Sequence, residues 1–515
     1  MPDEMSIPTL PAPPHASTPT AGPAPKRSPL MLAALGLLII GIAMGWLLGP
    51  QHQHLSDATA GDQALAERTR MLLDNDNGLR GQVVAEFTAN GGNWAGLGSA
   101  GADLDGPAPT DQTVFELGSI TKTFTASLYQ QAIEKGEVKP EDRLEQYVPE
   151  LAGSPAGGVS LESLAQHTSG LPSVTPQTGA ESLLPGITNE NLYAGTTMAR
   201  ELERAKATPL SKAGTSQYSN LGISLLGHAM ARAADAPDWQ TLVQQRVLDP
   251  MGMSHTTFAA TEDDVPAGAA VGHLYNGLRA PRWIGEFYLP AGTSTFTTAA
   301  DLTRWGQALL AGTAPGSAAM DPTFDAGEGN RIGRVWNVTA GPEGKEFTWH
   351  NGGTGGFRTQ LVLDRRAGRG QLILSNTTRW VDAQAFRMAA SDDDQLSPVP
   401  PTKGENPIPG WITYGIAALL VLSAVWTAFR GKHRLAMVGS LLIGLGALAL
   451  AWAGGPWDVV GGWAYGILLG AMIIATVQAV RRWPSVPVRP KKWWGLAIAS
   501  LVLSVLITVA LFTFF

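Results

Sequence analysis

Gly118-Ser119-Ile120-Thr121-Lys122 sets a hydroxyl and an amine three residues apart, a spacing that brings two side chains onto one face of a helix. A serine is a poor nucleophile until a neighbour takes its proton, and a contacting amine is one of the few groups that can. The run from Thr123 to Lys135, with Gly136 behind it, reads as a helix closed by a glycine cap. Ser119 then lies at a helix start, where free backbone N–H groups favour developing negative charge. The chemistry implied is attack by Ser119 after loss of its proton. Ser-x-x-Lys alone arises by chance about once in a chain of this size, so its meaning depends on partners.

Three further stretches supply candidates. Tyr218-Ser219-Asn220 precedes a helix from Leu221 onward. A phenol there can relay a proton between Ser119, Lys122 and a leaving group, and Asn220 can hold a substrate amide as donor and acceptor at once. His350-Asn351-Gly352-Gly353 falls at the end of a predicted strand, where small residues let a substrate backbone lie along the strand edge. The N–H of Gly353, with that of Ser119, can form an oxyanion hole. His167, followed by Thr168-Ser169-Gly170, invites assignment as a base but reads better as a loop brace. Taken singly, each stretch has a plainer reading as a helix cap or a glycine turn.

The elements that must carry these residues are legible on both sides of them. Gln82–Phe87 and Asn93–Leu97, joined by Asn90-Gly91-Gly92, predict a β-hairpin. Helical stretches are predicted around 119–135, 221–234, 238–247 and 299–311, the last opened by Thr298 and Asp301 at capping-box spacing. Strands return at Lys345–His350, Phe357–Asp364 and Gln371–Asn376. Strands at both ends with helices between them predict an α+β fold: an antiparallel sheet built from both termini, with a helical insertion.

Together these stretches resemble the Ser-x-x-Lys, Tyr-x-Asn and Lys/His-x-Gly motifs of the serine β-lactamase and penicillin-binding protein superfamily, in its class C β-lactamase-like branch. Phe115-Glu-Leu-Gly-Ser-Ile-Thr-Lys-Thr-Phe124, His167-Thr-Ser-Gly-Leu-Pro172, Leu248-Asp-Pro-Met-Gly-Met253 and Trp349-His-Asn-Gly-Gly-Thr-Gly-Gly-Phe357 carry the resemblance, which covers about 70–395. It implies an antiparallel sheet flanked by helices plus an all-helical region, with the site between them. It also implies acyl transfer through an acyl-enzyme on Ser119. Lys122 and Tyr218 are then the other catalytic residues, and Asn220, His350, Asn351, Gly352 and Gly353 bind substrate. No cofactor or metal is expected. Whether Lys122 or Tyr218 is the base stays open.

The chain departs from the Lys-Thr-Gly of many members by having His350-Asn351-Gly352. A histidine with a pKa near 6.5 is mostly neutral at pH 7, so it clamps a substrate carboxylate weakly. Expectation moves from strong β-lactamase activity toward a peptidase or esterase acting on D-amino-acid amides, peptidoglycan stems or small esters. A true β-lactamase and a β-lactam or cell-wall sensor acylated without turnover are the alternatives. Prodrug-activating peptidases of the superfamily also join an outward hydrolase domain to C-terminal membrane helices, which implies a lipidic or exported peptide substrate.

Charge and hydropathy divide the 515 residues further. Residues 1–28 read as a disordered Pro-rich tail, and 29–49 as an uncleaved membrane anchor, with a signal peptide as the rival. A linker is expected at 51–69, the hydrolase at 70–395, a Pro-rich linker at 396–410 and four membrane helices over 411–515. The last segment carries +7 and the segment 51–409 carries −14, which argues against a nucleic-acid partner. Lys26-Arg27 and the basic loops 430–434 and 481–492 fall on one side if the domain lies on the other. This predicts a multi-pass protein of a bacterial plasma membrane with its catalytic domain on the periplasmic or extracellular side. The spans lack interior charges, so transport is not expected. Gly41, Gly45 and Gly49, and Gly462, Gly466 and Gly470, form small-residue faces suited to close packing within the protein or to self-association. The absence of cysteine excludes disulfides and thiolate metal sites.

Overall fold

The computed structural model describes residues 29–176, 191–274, 276–390, 408–457 and 459–488. Its main sheet has nine antiparallel strands. They are β1 (Thr59–Gly61), β2 (Gly81–Thr88), β3 (Gly91–Gly98), β7 (Phe324–Gly327), β8 (Asn330–Ile332), β9 (Asn337–Ala340), β10 (Glu346–Gly353), β11 (Arg358–Asp364) and β12 (Arg369–Ser375), in the order β1-β3-β2-β12-β11-β10-β9-β8-β7. The β2–β3 hairpin turns at the predicted glycines, and β2 pairs with β12 from Gln82↔Ser375 to Thr88↔Arg369, so the two ends of the domain close one sheet. A smaller sheet joins β4 (Val114–Glu116), β6 (Thr295–Thr298) and β5 (Thr257–Phe258).

Alternation along the strands gives the large sheet two buried faces. Val83, Ala85, Leu361, Leu363, Leu372 and Leu374 pack toward the helical region, whereas Val84, Val362 and Ile373 pack with Leu65, Ala66 and Phe386 on the other side. That second cover comes from α2 (Gln63–Met71) and from α9 (Asp382–Ala390). The helical region comprises α3 (Lys122–Glu134), α4 (Leu161–Ala165), α5 (Met198–Lys206), α6 (Asn220–Ala233), α7 (Trp239–Val243) and α8 (Ala299–Ala311). The residues of α3 are buried from Lys122 to Ala132, which makes it the axle of the domain.

Several expectations need correction. The segment 51–69 is no linker: Gln53, Leu55 and Leu65 are buried and β1 extends the sheet, because apolar residues between polar ones reach the second core. Thr298 caps α8 by accepting the Asp301 N–H at 3.2 Å, but the Asp301 carboxylate turns to Thr256 and Arg304 instead of completing a capping box. The strand holding His350 runs on to Gly353.

Four described helices are long and apolar enough to cross a membrane: α1 (Pro29–Leu48), α10 (Ile408–Arg430), α11 (Arg434–Gly454) and α12 (Gly462–Arg482). The predicted tail 1–28, most of the linker 396–410 and the fourth C-terminal span lie outside the described residues. The two glycine faces meet each other. A Cβ on Gly41 would lie 2.2 Å from Gly470 Cα, and one on Gly45 would lie 2.3 Å from Gly466 Cα. The two faces therefore pack against each other within the chain. Gly466→Val would put its Cβ 2.6 Å from the Gly41 carbonyl oxygen. Overpacking of this kind costs about 1–3 kcal/mol, so the detergent-solubilised variant is expected to unfold at a lower temperature than wild type.

Candidate active site

The site is assembled where a short turn meets the end of β10. Gly118 adopts φ +63° and leads a 3₁₀ turn, Gly118–Thr121, so that α3 proper starts at Lys122 and Ser119 sits one turn earlier than the sequence suggests. The Leu117 N–H bonds the Thr295 carbonyl, which fixes the approach. Only glycine fits around the nucleophile. A Cβ on Gly118 would lie 2.8 Å from Gly353 N, one on Gly352 would lie 3.1 Å from Ser119 N, and one on Gly292 would lie 3.0 Å from Ser119 N. The amides of Ser119 and Gly353 are thus drawn together, as an oxyanion hole requires.

Lys122 Nζ lies 2.7 Å from Ser119 Oγ and also donates to the Ala291 carbonyl. The amine is fully buried, and desolvation holds its pKa well below the ordinary lysine value. Among the described residues no carboxylate pairs with it, so the group is equipped to accept a proton. Tyr218 hydrogen-bonds Ser119, and its ring centre lies 4.9 Å from Lys122 Nζ. Protein packed round the phenol raises its pKa, while the bond to Ser119 lowers it. The residue is nevertheless 45 % exposed, so solvent on its open side tempers the rise. Ser119, Lys122 and Tyr218 converge as a unit.

Asn220 opens α6 behind Ser219, whose hydroxyl caps the helix by accepting the Gly222 N–H at 2.8 Å. The Asn220 amide contacts Ser173 Oγ and Tyr193 Oη and leaves a buried Oδ1 without a protein partner beside the cleft. His350, Asn351, Gly352 and Gly353 lie on β10 past its last pairing with β9 at Trp349↔Asn337, so this stretch has an open edge. His350 is fully buried, and desolvation with the nearby Lys122 pushes its pKa down to about 3. It is neutral, even more so than the sequence argument required. Strand alternation sends the Asn351 side chain to the opposite face, where it donates to Asp382 Oδ1 at 2.7 Å on α9. It braces the strand from behind and does not reach Ser119.

Sequence reasoning missed the aromatic wall of the cleft, Tyr193, Trp283 and Tyr288, which carries no spacing signal. It also missed Glu116, three residues before the nucleophile. This carboxyl is buried beneath the cleft near the Trp283 N–H, and desolvation raises its pKa to about 7. A buried acidic residue inside Phe115-Glu116-Leu117 was the available cue.

With this geometry in hand, comparison with known proteins is direct. The family profile described as Beta-lactamase matches residues 72–393, and the chain belongs to that family. Among curated relatives, the human "Putative beta-lactamase-like 1" is 32 % identical over 221 residues, 41 % of this chain and 42 % of that protein. The Escherichia coli K12 "D-alanyl-D-alanine-carboxypeptidase/endopeptidase AmpH" is 27 % identical over 281 residues, 50 % of this chain and 69 % of that protein. The chain spans less than half the length of the first curated relatives it matches. A class C β-lactamase structure from Rhodobacter sphaeroides superposes with a TM-score of 0.53 at 20 % identity, covering 63 % of this chain and 97 % of the other. That likeness establishes the fold.

Two outcomes test the site. Lys122→Arg puts a permanent cation, which cannot accept a proton, in place of the desolvated amine, and is expected to slow acylation of Ser119 by roughly 10²–10⁴, read as the labelling rate with a fluorophosphonate. Glu116 has a folded pKa of about 7 against an ordinary 4.5, so its penalty is absent below 4.5, grows between those values and is full above them. Glu116→Gln is therefore expected to gain stability over wild type as pH rises through this window, by up to about 3 kcal/mol at alkaline pH, measured by denaturant unfolding.

Proposed function

We propose that this protein is a membrane-anchored serine hydrolase that forms an acyl-enzyme on Ser119 and cleaves amide or ester bonds. The single observation that carries this reading is the 2.7 Å contact between Ser119 Oγ and a buried Lys122 amine, with the Tyr218 phenol on the same hydroxyl. Ser119 Oγ attacks the substrate carbonyl carbon as its proton passes to Lys122 Nζ. The resulting oxyanion is held by the N–H groups of Ser119 and Gly353. Collapse breaks the bond to the leaving group, which takes a proton from Tyr218, and Tyr218 is reprotonated from Lys122. Water then adds to the acyl-enzyme, giving its proton to the same pair, and the acid departs as Ser119 is restored.

The substrate class follows from what surrounds the hydroxyl. The open edge of β10 suits an extended chain, and the Asn220 oxygen suits a substrate N–H. A neutral His350 supplies no positive charge for a carboxylate, which favours D-amino-acid amides, peptide stems and esters over β-lactams. The relative named as a D-alanyl-D-alanine carboxypeptidase/endopeptidase supports this range, and the relatives named as β-lactamases keep β-lactams among the substrates to be screened. The apolar helices would hold the domain at a bacterial plasma membrane, on the side away from the basic loops. Residues 431–433 leave three residues between α10 and α11, too few for an intracellular effector, so the acylated-sensor alternative is not favoured.

The experiment is fluorophosphonate labelling of the full chain in membranes, followed by a turnover screen of D-amino-acid amides, acyl esters and nitrocefin. Labelling lost in Ser119→Ala, with turnover of an amide or ester exceeding that of nitrocefin, is the expected result. An unlabelled wild type would sink the reading. A stable adduct without turnover of any substrate would return the sensor alternative.

A further inference from the structure

One buried group pressed against the reacting side chains has no role in the steps above. His167, in the loop after α4, is 5 % exposed and adopts the left-handed region at φ +58°. Its Nδ1 accepts the Ser219 N–H at 3.2 Å, and its carbonyl accepts the Gln217 N–H at 2.7 Å, so it grips the chain on both sides of Tyr218. Because Nδ1 accepts, the ring proton is on Nε2, and that buried N–H has no protein partner. The ring centre lies 4.6 Å from that of Tyr218. His350 lies 6.5 Å from the same phenol ring, with its own Nδ1–H given to the Asn351 carbonyl. One tyrosine ring is therefore bordered by two imidazoles and the Lys122 amine.

The two duties such a histidine could perform differ physically. Gripping the backbone places Tyr218. Packing on the Tyr218 ring, which itself lies 4.9 Å from Lys122 Nζ, keeps water from reaching the amine past that phenol, and an amine without water holds its proton poorly. A charged imidazole could not share this space with a protonated amine, and burial with Lys122 nearby keeps His167 uncharged. The titratable groups facing Lys122 among the described residues are Ser119 ahead of α3, Tyr218 ahead of α6, His167 after α4 and His350 on β10.

We propose that His167 is a positioning residue of the acylation step: it pins the Tyr218–Ser219 turn and, as an uncharged ring backing the phenol beside Lys122, keeps water from the amine so that it works as a base at neutral pH. The proposal rests on Ser119 being the nucleophile, as read above.

Asparagine separates the two duties. At 167 its Oδ1 takes the place of Nδ1 toward Ser219, and it tolerates the left-handed backbone, but it leaves room for water behind the Tyr218 ring and so toward Lys122. The test measures the rate of fluorophosphonate labelling of the full chain in detergent across pH, for wild type, His167→Asn and His167→Gln. The expected result is that the rising limb of the Asn variant moves up by about one pH unit, so that labelling at pH 7 is about tenfold slower while the rate above the limb is kept. His167→Gln, which refills more of the ring's space, is expected to lie between. A limb that does not move in either variant, or an equal slowing at every pH, overturns the proposal and leaves His167 a brace. An unlabelled wild type overturns the hydrolase reading and this inference with it; labelled wild type with an unmoved limb overturns this inference alone.

Discussion

The desolvated amine of Lys122 is the constraint around which the domain is built. An ammonium buried without a carboxylate is costly, so the group rests uncharged and can take a proton from the hydroxyl 2.7 Å away. That condition explains features that otherwise look unrelated. The residues of α3 from Lys122 to Ala132 are buried because the helix carrying the amine must run through the interior. Both imidazoles beside it are neutral, since each would otherwise add a positive charge to a dry pocket. Glycines crowd Ser119, since a Cβ at Gly118, Gly292 or Gly352 would press on neighbouring backbone.

The sheet supplies rigidity from behind. His350 and Asn351 are neighbours on β10, and the period of two divides their work: one faces the reacting groups and the other ties the strand to Asp382 on α9. Deleting Asn351's amide would leave a buried carboxyl without its donor, a defect remote from the chemistry yet transmitted along the same strand.

Much of this was readable in the chain itself. The hairpin glycines at 91 and 92, the strands that close the domain and the Ser119–Lys122 pair rest on local spacing, which survives folding, whereas Tyr218, far along the chain, is joined to that pair by the motif resemblance. What escaped was set by tertiary contact. No periodicity marks Tyr193, Trp283 and Tyr288 as neighbours, because Tyr193 comes from a segment far from the one that carries Trp283 and Tyr288. Asn351 was placed in the site because its motif is contiguous, whereas strand alternation separates adjacent residues. The stretch 51–69 looked like a linker because its apolar residues are sparse, but Leu55 and Leu65 suffice when a sheet edge awaits them.

The interlock of the glycine faces has a bearing on how the protein is made. Gly41 and Gly45 leave the ribosome long before Gly466 and Gly470, with the whole α+β domain in between. At about 5–20 residues per second, the first helix waits tens of seconds for its mate. During that interval its narrow groove lacks its partner, and the later packing of α12 against α1 draws both ends of the finished domain together.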